Sequence, residues 1–365
     1  MKTLRIIFNL LFAVANVASV LLLVMSAYSD RVSPESSIIF SYLGLLFPLL
    51  CVLNLLFIIY WLFLSEWRYM MIGLCAFMLC WGSVRSYFPF HQPSDMEGRE
   101  VLKVLTYNVM AFGYKNHTKD SPNKILDYIA NSDADIVCMQ EFAVSRSNSN
   151  LTTNKIYRAL RMYPYRSVFY KNSTKTQRYG IAVFSKYPIS NSRLIKYDSD
   201  FNGSSVHEIE VKGKRLTLIN NHLESFKLTM EDRSRYSSLI KSFSSDGLDE
   251  LKGAFERKLG PAFRIRAKQA ESVAAEVNGS KNDYVIVCGD FNDTPISYAH
   301  RTIQGGLKDA FAESGRGIGV TYNQNFFWFR IDHILHSPNI KAYNCTIDKV
   351  SYSDHYPVWC YISLE

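Results

Sequence analysis

No two cysteines in this chain are spaced for metal or redox work. The seven cysteines of the 365-residue sequence include no Cys-x-x-Cys, which removes zinc-ribbon and thioredoxin-like readings. Cys138 and Cys288 lie inside apolar strand-like runs and are expected to be small buried hydrophobes. Cys345 and Cys360 could pair in an oxidising compartment, but only the even count speaks for it. Internal repeats and low-complexity tracts are absent, which leaves no solenoid or disordered reading. Charge is scarce from about Ile6 to Phe88 and ordinary after Pro93. The mean hydropathy of −0.06 therefore averages two unlike parts.

The scarcity of charge defines three apolar runs, 6–27, 38–64 and 69–88, each near the length that crosses a bilayer. Asp30, Arg31, Pro34 and Glu35 break the first from the second; Ser65, Glu66 and Arg68 break the second from the third. No run has a polar face, so a soluble helical domain is disfavoured. A cleaved signal peptide is a weaker reading of the first run, because two more follow and no small-x-small site ends it. Lys2, Arg5 and Arg68 face only Arg31 in the charge comparison, which predicts a cytoplasmic N-terminus. Three crossings then put the rest of the chain on the outer, periplasmic or extracellular, face. Aromatic residues at the run ends, Tyr60, Trp61, Trp67 and Tyr87 among them, suit interfacial anchoring.

Residues 91–100 read as a polar linker, and 101–365 as one domain long enough for a full core. Strands are expected at 101–108, 136–139, 165–170, 180–185, 190–196, 206–211, 215–220, 284–288, 330–335 and 356–362. Helices are expected at 122–131 and 154–162. Gly213 supplies the φ > 0 position of a hairpin turn at 211–215. Residues 227–278 read as a long, charged, mostly helical insertion, broken at Ser244–Gly247 and at Gly260-Pro261. Its basic balance over 227–268 suits a polyanion or an anionic bilayer, or simply a solvated face. Strands partly separated by helices predict packed sheets flanked by helices.

Five patches sit at strand ends: Tyr107-Asn108, Gln140-Glu141, Gly289-Asp290-Phe291-Asn292, Asp332-His333 and Asp354-His355. Carboxylates, amides and histidines brought to one rim are what a divalent metal and a phosphate need. Glu141 is a candidate metal carboxylate, and Gln140 a neighbouring or phosphate-side amide. Asn108 could orient a metal water or a phosphate oxygen. Asp290 and Asn292 share one side of the extended chain and could hold and deprotonate a water. A carboxylate that orients a charged histidine could stabilise a pentavalent phosphorus. His222 follows another strand and could reach the same phosphate, as could Tyr179. The aromatic run Phe326–Phe329 reads as core or loop packing rather than a base-stacking platform. Each patch alone has a plain structural reading as a turn or a solvated strand end.

In order, TYNV, QE, YGIAVFSKYPI, NNHLES, GDFNDTP, RIDHIL and SDHYP resemble the endonuclease/exonuclease/phosphatase superfamily. The resemblance runs from about Lys103 to the C-terminus. It implies an α+β fold: a four-layered α/β/β/α sandwich, here preceded by three transmembrane helices. It also implies Glu141, Asn108 and Asp354 at a Mg²⁺ or Mn²⁺ ion, and Asp290 activating water. Asn292, Asn108, Tyr179 and His222 would bind phosphate, and His355 would contact it, oriented by Asp332. The inositol-phosphatase signature is absent. The expected activity is metal-dependent phosphodiester hydrolysis on nucleic acid or a phospholipid headgroup, tethered to a bilayer. The alternative is a catalytically inactive, membrane-anchored module that binds phosphate or a polyanion.

Overall fold

The computed structural model describes residues 2–147, 151–197, 199, 201–227, 231–232, 234, 238, 245–324 and 327–365. Two six-stranded sheets form its centre. The first has the order β13-β14-β1-β2-β4-β3 and the second β5-β6-β7-β8-β12-β9. The strands are β1 (Leu102–Asn108), β2 (Ile136–Ser145), β3 (Tyr165–Ser173), β4 (Gln177–Ser185), β5 (Ile189–Leu194), β6 (Gly203–Val211), β7 (Lys214–His222), β8 (Tyr284–Asp290), β9 (Lys308–Asp309), β10 (Tyr322–Gln324), β11 (Phe327–Phe329), β12 (Asp332–His336), β13 (Ile340–Ile347) and β14 (Val358–Leu364). Strands β10 and β11 make a separate hairpin, so the aromatic run forms a strand here; Phe326 lies outside the described residues.

Alternation along each strand divides the apolar side chains between three cores. Val104, Ile136 and Cys138 of the first sheet meet Leu218, Ile286 and Cys288 of the second. The outer face of the first sheet packs on helices Lys124–Ala130 and Thr153–Ala159 through Leu126, Ile129 and Ile156. The outer face of the second packs on helices Ser245–Gly279 and Tyr298–Gln304 through Ala270, Val273 and Ile303. The layers are thus helix, sheet, sheet, helix. Cys138 and Cys288 are small core residues, as expected, and Cys345 and Cys360 are buried free thiols.

Lys212 and Gly213 both have positive φ, giving the two-residue turn that matches strand twist. The expected break at Gly260-Pro261 is overturned: the helix begins at Ser245, inside the other expected break, and runs through Gly260 and Pro261 to Gly279. Pro261 costs one hydrogen bond, but Leu259, Ala262 and Phe263 around it are buried, and that packing holds the helix. Ser244 lies outside the described residues.

Among the described helices of residues 2–90, one, Ile7–Ala27, is long and apolar enough to cross a membrane. The second run forms Ile38–Leu45 and Phe47–Phe63, bent by 61°; the third forms Trp67–Leu79 and Trp81–Tyr87, bent by 67°. The first bend has a local cause: Pro48 opens the second helix of its pair, and its ring excludes a carbonyl one turn earlier. The unit packs on itself through Leu23, Phe47 and Cys51, with Ile296 of the sandwich in the same cluster. The third run ends at Arg330, whose guanidinium donates to the Ser86 carbonyl and pairs with Asp309 at 2.9 Å, both side chains buried.

Two stability predictions follow from buried groups. Removing one partner of a buried ion pair strands the other charge. Arg330→Met should therefore cost on the order of 3–5 kcal/mol, read as a lowered melting temperature of the full chain in detergent. His207 is buried, with its ring nitrogens 2.9 Å and 2.8 Å from Ser192 and Ser205. Burial pushes its pKa down to about 3 from 6.5. The unfolded chain takes up that proton first, so stability should fall as pH drops from about 6.5 towards 3, by up to about 1.4 kcal/mol per pH unit. Denaturation series on wild type and His207→Gln should show this component only in wild type.

Candidate active site

Each sheet has one parallel strand pair at its centre, β1 with β2 and β7 with β8. Parallel strands end on the same side, and their antiparallel neighbours β14 and β12 begin there. Asn108, Glu141, His222 and Asp290 therefore leave strands at the rim where Asp332 and His355 enter. The register fixes this: Asn108 lies opposite Gln140, and Asp290 opposite both His222 and Asp332.

The amide of Asn108 is the link between the sheets at this rim. Its Nδ2 donates at 3.1 Å both to Glu141 Oε1 and to Asp290 Oδ2. Its Oδ1 accepts from the Met110 N–H at 3.1 Å, so the amide presents its donor side to the carboxylates. Ser353 Oγ donates to the Asn108 carbonyl at 2.8 Å and lies 3.2 Å from Asp354 Oδ1, which pins the Asp354-His355 loop to β1.

Asp290 is buried and faces two imidazoles. His222 Nε2 is 3.8 Å and His355 Nε2 3.7 Å from its Oδ2. The Asn292 N–H donates to the other oxygen, Oδ1, at 2.8 Å. Burial pushes the Asp290 pKa up to about 6, with His355 pulling it down. His355 Nδ1 meets Asp332 Oδ2 at 2.8 Å. Burial alone would lower the His355 pKa, but Asp332 and Asp290 together hold it well above the ordinary value. His222 shifts the other way, lowered by burial. The two histidines thus differ: His355 favours the cation and His222 the neutral ring.

Glu141 sits on a bulge, where the β2–β4 register shifts between Met139 and Phe142. Its φ is 50° and that of Asn292 is 52°, a conformation rare for non-glycine residues. A further run, Met110 to Tyr114, has positive φ at every residue. Such backbone costs free energy at each position and clusters at functional sites. Burial raises the Tyr114 pKa, and Glu141 and Asp354 both add to that rise, so each carboxylate lies within electrostatic reach of the Tyr114 hydroxyl. That all-oxygen pair fits a hard divalent cation. Tyr179 acts on the same hydroxyl, and its own hydroxyl bonds Gln177.

Three sequence expectations change. Gln140 is wholly buried and lies beneath the site: its Nε2 donates to Thr106 and, across the sheets, to Asn220 Oδ1 at 2.7 Å. The bulge explains this, because it turns Glu141 to the cleft and leaves Gln140 inside. His333 faces away from Asp332, as period two requires, and its Nε2 lies 2.9 Å from the Asp293 carbonyl. It belongs to a second buried group with His300 and Asp309, where the Arg330 guanidinium already balances Asp309. The Asn292 side chain donates to the Leu223 carbonyl at 2.9 Å, so it joins two rim loops.

Arg266 escaped the sequence reading, because nothing in its charged surroundings marks it as buried. It leaves the long helix, pairs with Asp293 at 2.7 Å and donates to the Glu224 carbonyl at 2.9 Å. It therefore clamps the loop after His222 to the loop after Asp290. Asn220 was also missed, as a polar residue inside a strand gives no local sign of bridging sheets.

The model of a family described as "Endonuclease/Exonuclease/phosphatase family" matches residues 105–355. A domain of unknown function, DUF8431, matches residues 8–87. No curated protein matches the sequence. Among solved structures, an endonuclease/exonuclease/phosphatase from Beutenbergia cavernae is 14% identical, with TM-score 0.51, covering 73% of this chain and 72% of that one. A family protein from Leptotrichia buccalis is 16% identical, with TM-score 0.49, 72% and 99% covered. D. rerio TDP2 complexed with single strand DNA product is 14% identical, with TM-score 0.48, 73% and 100% covered. The family model spans more than half of the chain and takes in every rim residue described above, so the chain belongs to the endonuclease/exonuclease/phosphatase family.

Proposed function

We propose that the protein is a membrane-tethered, divalent-metal-dependent phosphodiester hydrolase. The observation that carries this is the opposed environment of Asp290 and His355. A buried carboxylate with a raised pKa and an imidazole held as cation lie 3.7 Å apart, an acid–base pair separated by environment.

Asp290 accepts the proton of the attacking water, its carboxylate held by Asn108 and the Asn292 N–H. His355, fixed through Nδ1 by Asp332, turns Nε2 towards the phosphate and stabilises the charge that grows on its oxygens. His222 offers a hydrogen bond to a phosphate oxygen or to the leaving oxygen. Asn108 and Tyr179 line the phosphate site from the first sheet, and Asn292 keeps the second-sheet loops in register with it. Glu141 and Asp354 would hold Mg²⁺, with Mn²⁺ the alternative, while Asn108 aligns Glu141. When bound, the ion supplies positive charge against the phosphate oxygens.

Nucleic acid and phospholipid headgroups are both substrates of this reading. Residues 1–90 act as the anchor, in three crossings if each bent pair is one span, with residues 91–100 leading into the 101–365 domain. Its support is the apolar surface left exposed on Leu11, Val14, Leu49, Leu56 and Phe63, too extensive for a solvated unit. Asn54 supports it too, buried and donating to Ser19 between helices, as polar residues do in helices that pack within lipid. On this reading the charges Lys2, Arg5 and Arg68 keep the N-terminus in the cytoplasm and the domain outside.

The test uses the full chain in detergent or nanodiscs with Mg²⁺, Mn²⁺ or EDTA, against DNA, RNA, glycerophospholipids and sphingomyelin. Hydrolysis should appear with metal and stop with EDTA. Asp290→Asn should lower kcat by about 10²–10⁴-fold with KM little changed. Glu141→Ala should abolish metal binding in calorimetry. Metal binding without turnover of any phosphodiester would favour the inactive binding module instead.

A further inference from the structure

The apolar unit is packed on the rim that presents the reacting groups, not joined to the domain by residues 91–100 alone. Three rim segments reach it. Asn292 is followed four residues later by Ile296, which is buried with Leu23, Ala27, Phe47 and Tyr87 and whose carbonyl accepts from Ser29 Oγ at 3.2 Å. Asp332 is preceded two residues earlier by Arg330, bonded to the Ser86 carbonyl. His222 is followed by Phe226, whose ring meets Phe263 at 5.1 Å, and Phe263 meets Tyr42 at 5.9 Å. Ion pairs Asp30–Arg301 and Glu35–Lys268, both at 3.2 Å, lie outside these contacts.

The chain advances at most about 3.6 Å per residue. Asn292 is therefore within about 14 Å of Ile296, and Asp332 within about 7 Å of Arg330. Ile296 and Arg330 touch the ends of the first and third apolar runs, which mark the edge of the hydrocarbon layer. The headgroup layer extends roughly 5–8 Å beyond that edge. The site thus stands beside the headgroups, and buried contacts keep it from swinging away.

Resting on the phosphodiesterase reading above, we infer that the substrate is the headgroup phosphodiester of a phospholipid in the bilayer that holds the anchor. Water oxygen bonds to phosphorus, one ester P–O bond breaks, the water proton goes to Asp290, and the departing oxygen leaves as an alcohol after protonation. The products are a phosphomonoester and an alcohol. Sharing one surface raises the local concentration of this substrate over any soluble diester.

The test reconstitutes the full chain with Mg²⁺ in vesicles of phosphatidylcholine and phosphatidylglycerol. Turnover is measured on headgroup-labelled lipid in the same vesicles, on the same lipid in separate vesicles, on bis-para-nitrophenyl phosphate and on a single-stranded DNA oligomer. Lipid in the same bilayer should be hydrolysed at least about tenfold faster than lipid in separate vesicles. Ile296→Asp and Gly44→Trp loosen the docking, since a side chain at Gly44 meets Ser29 Oγ at 2.6 Å. Either should lose lipid turnover while keeping that of the soluble diester; a variant that loses both has unfolded, and the wild-type comparison then decides. Equal rates on both vesicle populations, preference for DNA, or a lipid-to-soluble ratio unchanged by undocking would overturn the inference and leave the hydrolase standing. No metal-dependent turnover of any probe would remove both.

Discussion

One hydrogen-bonded pair between the sheets, Gln140 with Asn220 at 2.7 Å, sets the conditions for everything above it. Strand β2 bulges after Met139, and a bulge leaves backbone groups out of the ladder. Asn220 Nδ2, reaching from the other sheet, donates to the Met139 and Ala182 carbonyls at 3.3 Å and 3.1 Å. An unsatisfied buried carbonyl costs on the order of 1–3 kcal/mol, so the bulge is tenable because the second sheet completes it. The bulge in turn places Glu141 at φ 50° and sends its carboxylate into the cleft. Sheet packing, bulge and the geometry of the rim are one arrangement seen at three levels.

The same interior separates the roles of chemically similar groups. Asp290 and Asp332 are both buried carboxylates, directly opposite each other on β8 and β12. Asp332 lies against His355 at 2.8 Å, and its backbone N–H donates to the Thr321 hydroxyl oxygen at 3.1 Å. Asp290 has imidazoles no nearer than 3.7 Å, and burial dominates its titration. Low dielectric strengthens the close pair and penalises the looser one. Hence one aspartate orients a cation while the other is left basic enough to take a proton near neutrality.

Much of this was legible because strand ends are local. Asn108, Glu141, Asp290, Asp332 and His355 each follow or open an apolar run, and parallel pairs at the sheet centres bring them together. Period two puts Asp332 and His333 on opposite faces, but it cannot foresee the bulge that turns Glu141 to the cleft and leaves Gln140 inside. Pro261 misled for a related reason: its local cost is real, and tertiary burial of Leu259 and Phe263 outweighs it. Arg266 depends on partners far away in sequence. No window of the chain contains both Arg266 and Asp293 with a sign that they meet.

Arg266 and Arg330 share a logic that joins the apolar N-terminal unit to the rim. Each is a wholly buried guanidinium paired with an aspartate, Asp293 at 2.7 Å and Asp309 at 2.9 Å. Each also donates to a carbonyl of another segment, Glu224 and Ser86. A planar fork can serve both partners at once, where an ammonium would hold its geometry less well. Buried pairs of this kind contribute little net stability over apolar packing, and breaking them is costly. Their effect is positional: Arg266 holds the loops of His222 and Asp290 in one frame, and Arg330 holds the strand of Asp332 against the Ser86 turn of the apolar N-terminal unit. The apolar unit and the rim loops are therefore placed by the same two cations. Separating the domain from residues 1–90 would uncover Ile296 and strip Arg330 of one partner.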